Sequence, residues 1–239
     1  MSSVPVITID GPSGAGKGTI AQMVASHFDW HLLDSGALYR ILGVSANHAG
    51  LIPAVDEASF KHDLSVNQQQ NITSLATELS IEFVINPRSK EVEPLVNSVN
   101  LALQIRTDDA AQFASKVAAI GSVRDALLDL QKNFAKPPGL VADGRDMGTV
   151  VFSEAKVKIF LTASAKCRAE RRYQQLINKG VGANMRALLQ SIEDRDQRDQ
   201  NRSVSPLVPA ADALVIDSSE LSIEQVFNQV IDYASEKVV

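Results

Sequence analysis

A glycine-rich turn near the start of the chain separates a β-branched stretch from an amphipathic one, and it restricts the fold more than any other feature. Residues 4–10 have the composition of a buried strand, and residues 19–28 carry apolar side chains at helical spacing. Residues 11–17 between them read Gly-Pro-Ser-Gly-Ala-Gly-Lys. This loop type between a strand and a helix predicts a phosphate-binding loop, the P-loop.

The residue types in this loop suit a polyphosphate. Glycines let the backbone approach an anion closely, and free N–H groups at the start of the helix point toward it. Lys17 adds a positive charge that can follow the β- and γ-phosphates. The predicted ATP-binding residues are Gly11, Pro12, Ser13, Gly14, Ala15, Gly16, Lys17, Gly18 and Thr19. Because Gly18 follows the lysine and the hydroxyl comes only at Thr19, we expect Mg²⁺ to be held largely through water and phosphate oxygens.

The same alternation of short apolar runs and longer amphipathic ones continues along the chain. Further strands are predicted at residues 30–33, 139–143, 157–161 and 213–217. The sequence therefore predicts an α/β fold with a doubly wound, five-stranded parallel sheet and crossover helices, in one domain over residues 1–239. Such a sheet binds its ligand beyond the carboxyl ends of its strands.

Two stretches interrupt this alternation. Residues 79–85 and 91–96 look like strands of a small antiparallel insert, placed at about 63–104. Residues 179–203 are polar and charge-dense, and we expect them to act as a lid.

Composition excludes several classes of protein. The 239 residues are 45% hydrophobic and 21% charged, which is ordinary globular composition. A single cysteine, Cys167, excludes an internal disulfide framework and a cysteine-based zinc site. The apolar runs are strand-sized, the first residues lack the pattern of a secretory signal, and the net charge is −5. We expect a cytoplasmic monomer that acts on small molecules, with no membrane or nucleic-acid partner.

Positive charge is concentrated in one region in spite of this balance. Residues 168–202 hold eight basic and five acidic side chains. Within them Arg195, Arg198, Asp199 and Arg202 fall on one face of a helix. This pattern is typical either of a site that gathers phosphates or of a solvated, salt-bridged helix surface. For Arg168, Arg171 and Arg186 both interpretations stay open.

Longer stretches make the comparison with a known family specific. Gly-Lys-Gly-Thr in the P-loop is typical of nucleoside monophosphate kinases. Residues 11–19, 33–40, 142–152, 195–202 and 206–213 resemble bacterial cytidylate kinases, which belong to that group. The resemblance covers nearly the whole chain. It implies transfer of the ATP γ-phosphoryl group to CMP, and also to dCMP, with Mg²⁺, and a monophosphate-binding region at 35–106.

The resemblance also assigns roles to single residues. For CMP it implies base contacts by Asp146, Arg202 and Arg106, sugar contacts by Arg195 and Asp199, and monophosphate contacts by Ser35, Arg40 and Arg145. The predicted catalytic residues are Lys17, Arg145 and Arg195, and the predicted metal-shell residues are Thr19 and Asp143.

Two other functions stay open at this level. One is a kinase for another monophosphate, such as UMP or AMP. The other is a P-loop regulatory protein that binds nucleotide without turnover. Rates with a panel of monophosphates would separate these possibilities.

Overall fold

The first strand forms where β-branched residues follow one another, and it ends at the glycine-rich loop. The computed structural model describes residues 4–55, 60, 62–85, 92–178 and 180–238. Strand β1 covers Val6–Asp10 and is almost completely buried. Burial on both faces is usual for a central strand of a parallel sheet.

Four further strands complete a parallel sheet around β1. They are β2 (His31–Asp34), β6 (Leu140–Gly144), β7 (Val157–Thr162) and β8 (Leu214–Asp217). Their order is β2-β6-β1-β7-β8, and every neighbouring pair is parallel. Strand β1 is therefore central, with two strands on either side of it, which confirms the predicted doubly wound sheet of five strands.

Eight helices accompany the strands in the part of the chain that the structure describes. They are α1 (Lys17–Phe28), α2 (Ser35–His48), α3 (Val66–Glu78), α4 (Asp108–Val117), α5 (Gly121–Lys132), α6 (Ala165–Asn178), α7 (Met185–Gln200) and α8 (Ile223–Val238). Short helical turns lie at Gln104–Arg106 and Met147–Val151. Helix α8 begins with the capping box that its sequence indicates: Ser222 and Gln225 exchange backbone-to-side-chain hydrogen bonds of 2.8 and 3.1 Å.

A second, antiparallel sheet lies in the stretch where the sequence predicts an insert. Its strands are β3 (Ile81–Ile85), β4 (Val92–Val96) and β5 (Val99–Asn100), in that order. The residues expected to join the first two strands, 86–90, fall outside the described residues.

The chain divides into two compact units, each with its own apolar core. The first unit comprises residues 1–35 and 131–239, and the second comprises residues 36–130. In the first unit, β1, β7, α1 and α8 enclose a core that includes Ile9, Ile159 and Val230. In the second unit, helices α2, α4 and α5 contribute Leu42, Phe113 and Leu127 to another core. The predicted monophosphate-binding region, 35–106, falls in the second unit except for its first residue.

Candidate active site

The P-loop follows β1 as the sequence predicts, with its backbone folded closely against the sheet. Gly11, Gly14 and Gly16 have φ angles of 147°, 80° and 96°. At Gly11 glycine is required on two counts, because a Cβ would also lie 1.9 Å from the carbonyl oxygen of Leu161. The loop then leads into α1, whose first N–H groups are the donors expected to meet a phosphate.

Lys17 is buried at the start of α1, and its ammonium contacts the loop that precedes it. Its Nζ donates to the carbonyl of Pro12 at 3.0 Å and lies 3.8 Å from Oδ1 of Asp143 at the end of β6. Burial and, to a smaller extent, the positive charge of Arg145 lower the pKa of Lys17 to about 8, while Asp143 acts in the opposite direction. The lysine is thus held at the loop beside the carboxylate of Asp143, a position from which it can contact an added phosphate.

A cluster of three arginines surrounds the buried carboxylate of Asp199. Arg145 Nε donates to Asp199 Oδ2 at 3.0 Å, and Arg202 Nε donates to the Asp199 carbonyl at 3.2 Å. Burial by itself would raise the pKa of Asp199, but Arg145, Arg195 and Arg202 hold it below its usual value. Asp199 therefore balances part of the positive charge that these arginines bring together in the first unit.

This cluster reaches the P-loop through Arg195. Its Nη1 donates to the Ser13 hydroxyl at 3.1 Å. Burial opposes the charge on Arg145, yet Asp199 and Asp143 raise the pKa of its guanidinium above its usual value. Fixed positive charge therefore lies directly beside the loop expected to hold polyphosphate. This is the arrangement that stabilises the equatorial oxygens of a phosphoryl group in transfer.

Similarity to known proteins agrees with this geometry. A family model described as cytidylate kinase matches residues 7–236. The chain belongs to the cytidylate kinase family. Curated cytidylate kinases from Shewanella frigidimarina and Colwellia psychrerythraea are each 50% identical to it, over 98% and 99% of this chain and 96% and 98% of theirs. The cytidylate kinase of Erwinia tasmaniensis is 48% identical, over 99% of this chain and 98% of its own.

Most of the residues that the cytidylate kinase resemblance singles out lie in the first unit. The structure brings the P-loop, Asp143, Arg145, Arg195, Asp199 and Arg202 into one region of that unit. Asp146 follows Arg145 and is 2% exposed. Ser35 is buried at the start of α2 and donates to Gln131 Oε1 at 2.7 Å.

The other two predicted CMP contacts lie in the second unit. Arg40 is half-buried on α2, and Arg106 is exposed in the short turn Gln104–Arg106. Their roles remain predictions that rest on the resemblance.

The proposed metal-shell residues are placed differently from each other. Thr19 is exposed in the first turn of α1, whereas Oδ2 of Asp143 lies 3.5 Å from the point that a Cβ on Gly18 would occupy. Within the described ranges, no group of three or more His, Cys, Asp and Glu residues could hold a metal ion by itself. The role of both residues stays a prediction.

The sequence reasoning overlooked Asp10, the last residue of β1. Its two carboxylate oxygens accept the backbone N–H groups of Met147 and Gly148, each at 2.8 Å. Burial raises the pKa of Asp10 to about 7, against the lowering effect of these two hydrogen bonds. Its position at the carboxyl end of a central strand was the available signal, since ligands of such sheets bind at that edge.

Arg168, Arg171 and Arg186, for which the sequence allowed two interpretations, lie in three different environments. Arg168 is buried, which contradicts a solvated helix face for that residue. Arg171 is half-buried, and its guanidinium donates to the hydroxyl and the carbonyl of Ser218. Arg186 is exposed in the first turn of α7.

Proposed function

We propose that this chain transfers the γ-phosphoryl group of ATP to CMP, and also to dCMP, giving ADP and the pyrimidine nucleoside diphosphate. Because the chain belongs to the cytidylate kinase family, it is an ATP-dependent nucleoside monophosphate kinase. The observation that best supports the assignment of roles is the 3.1 Å hydrogen bond from Arg195 to Ser13, because it joins the arginine cluster to the P-loop.

The chemistry requires positioning and positive charge more than a base. The attacking oxygen of a nucleoside monophosphate is already ionised near neutral pH, so no residue has to remove a proton from it. Two anions must nevertheless meet, and cations have to neutralise the oxygens of the group in transfer. Lys17 and the P-loop N–H groups would hold the ATP phosphates, and Arg145 and Arg195 would neutralise the transferred group.

We assign recognition of the base to Asp146. The exocyclic amine of cytosine donates a hydrogen bond, so a buried carboxylate is a suitable partner, while the ring nitrogen and carbonyl accept from arginine. Asp146 is buried next to Arg145, and Arg202 lies close enough to donate to the Asp199 backbone. Asp199 and Arg195 would contact the sugar, and Ser35 would contact the monophosphate.

ATP would bring Mg²⁺ with it. We assign the carboxylate of Asp143 and the hydroxyl of Thr19 to the shell of this ion, because oxygen ligands suit this hard cation. When bound, the ion neutralises phosphate oxygens. Removal of the ion with EDTA should abolish CDP formation, and added Mg²⁺ should restore it.

The test of the function is a set of steady-state rates with ATP and equal concentrations of CMP, dCMP, UMP and AMP. We expect CMP to give the highest kcat/KM, with one CDP formed for each ADP released. A preference for AMP or UMP would contradict the proposal, as would ATP binding without CMP-dependent ADP release. We also expect a monomer in the cytoplasm, and sedimentation of the purified protein would test its oligomeric state.

A further inference from the structure

Arg168, on α6, is buried near the P-loop and donates four hydrogen bonds. Its Nε donates to the carbonyl of Ala163 at 2.9 Å, and its Nη1 donates to the carbonyl of Ser13 at 3.0 Å. Both terminal nitrogens also donate to the two oxygens of Asp196 on α7, with Nη1 to Oδ1 at 3.0 Å. Only 4% of the Arg168 side chain is exposed.

These contacts show that Arg168 holds protein groups in place. Its guanidinium has five N–H donors, and the four acceptors just described all belong to this chain. The packing is close as well, because a Cβ at Gly14 would lie 3.3 Å from Cβ of Arg168. Arg168 therefore holds the P-loop at two neighbouring positions, Ser13 and Gly14.

Its partner Asp196 is the residue next to Arg195 on α7. Ser13 thus accepts a hydrogen bond from each of two helices: its carbonyl from Arg168 on α6, and its hydroxyl from Arg195 on α7. The forked ion pair links the same two helices to each other at the same place. A bidentate pair fixes orientation as well as distance, so it restrains how far α7 can rotate or shift relative to the P-loop.

We propose that Arg168 and Asp196 are positioning residues for phosphoryl transfer, which set the place of Arg195 relative to the P-loop. This inference rests on the proposed function, in which Arg195 neutralises the transferred group. Arg168 and Asp196 act through Ser13 and Arg195 and make no contact with the reacting atoms. Misplacement of a charge-stabilising group lowers the rate of the chemical step more than it weakens ground-state binding.

The first experiment is Asp196→Asn, which keeps the shape of the side chain and removes its charge. We expect kcat to fall about ten- to hundredfold, while KM for ATP and KM for CMP change by less than about threefold. Arg168→Lys keeps the positive charge but lacks the fork, so it should give the same pattern. Urea denaturation of both variants shows whether either loss of rate reflects unfolding.

The matched control is Asp212→Asn. It breaks the ion pair between Lys158 and Asp212, whose atoms are 3.0 Å apart in the same unit. In the part of the chain that the structure describes, this pair is bonded to neither Ser13 nor Arg195. The kcat of the control should therefore stay at the wild-type value. An equal loss of kcat in this control would overturn the proposal, because the effect would then belong to any lost ion pair.

A double-mutant cycle with Arg195→Ala decides whether Asp196 acts through Arg195. If it does, Asp196→Asn should lower kcat by less than about twofold in the Arg195→Ala background. A full additional loss there, or a normal kcat in Asp196→Asn itself, would overturn the inference and leave the role of Arg195 intact. A normal kcat in Arg195→Ala would overturn the proposed role of Arg195, and this inference with it.

Discussion

Lys17 shows how the surroundings of one residue determine what it can do. Its ammonium is buried, bonded to the P-loop carbonyl of Pro12 and close to Asp143. Replacement by methionine keeps the length and removes the charge. We expect Lys17→Met to lower kcat by about 10²–10³-fold, as for the loss of one transition-state contact.

The control for that measurement is Lys158→Met, which removes another buried lysine of the first unit that pairs with Asp212. Its kcat should remain within about threefold of wild type, since its charge is not directed at the P-loop. A near-normal kcat in Lys17→Met would contradict the assigned role.

The lowered pKa of Lys17 predicts how activity depends on pH. Because burial brings this pKa to about 8, the ammonium form declines as pH rises through that value. In the free enzyme, kcat/KM for ATP should therefore fall above about pH 8. Lys17→Arg stays charged throughout and should give a lower but flat profile between pH 7 and 9.5. A wild-type profile that stays level to pH 9.5 would contradict the prediction.

The buried carboxylate of Asp146 leads to a prediction about specificity. Cytosine offers it an amine, whereas uracil has a carbonyl at the same ring position. We expect Asp146→Ala to lower kcat/KM for CMP by about ten- to hundredfold, which corresponds to one hydrogen bond to a charged group. The rate with UMP, measured on the same preparation, serves as the internal control and should change much less. Equal losses for both substrates would mean that Asp146 does not read the base.

Between elements, Asp10 joins the end of β1 to the helical turn Met147–Val151, directly after Arg145 and Asp146. Two N–H donors need two acceptor oxygens, and asparagine offers only one. Asp10→Asn should therefore shift this turn and raise KM for CMP about three- to tenfold, with a smaller change in KM for ATP.

Asp29→Asn is the control for this change, since Asp29 is exposed at the end of α1 with φ 55°, a conformation that asparagine accepts. Its kinetic constants should match wild type. If Asp10→Asn raised KM for ATP alone, Asp10 would instead position the P-loop, and the prediction would be contradicted.

The whole molecule carries a net charge of −5, although its arginine cluster is positive. Both substrates are anions, so the local field must attract them against the overall charge. Raising KCl from 0.05 to 0.5 M at constant pH should lower kcat/KM for CMP by about three- to tenfold, because salt screens this attraction. The kcat at saturation should change less. A kcat/KM that rises with salt would show that the net negative charge dominates.

In the structure as a whole, no helix among the described residues is long and apolar enough to cross a membrane. The predicted lid stretch supplies α7, and Arg195 and Asp199 face the site from that helix. Whether the stretch closes over ATP stays a prediction.

Local patterns in the sequence were sufficient to predict the architecture of the parallel sheet. Each strand of the parallel sheet lies within two residues of its predicted bounds, since a buried strand and a glycine-rich turn are properties of short contiguous segments. The helical spacing likewise placed Arg195 and Asp199 on one side of α7, whereas Arg202, predicted on the same helix face, lies after the end of that helix at Gln200.

The pairing of distant residues could be known only from the folded chain. Ser35 meets Gln131 across 96 positions, Arg145 meets Asp199 across 54, and Asp10 receives the N–H of Met147 across 137. Such contacts depend on which strands flank β1 and on how α6 and α7 pack beside the P-loop. Neither periodicity nor composition indicates which distant residues will meet, because both describe a side chain among its neighbours in sequence. The balance of buried charge depends instead on neighbours in space.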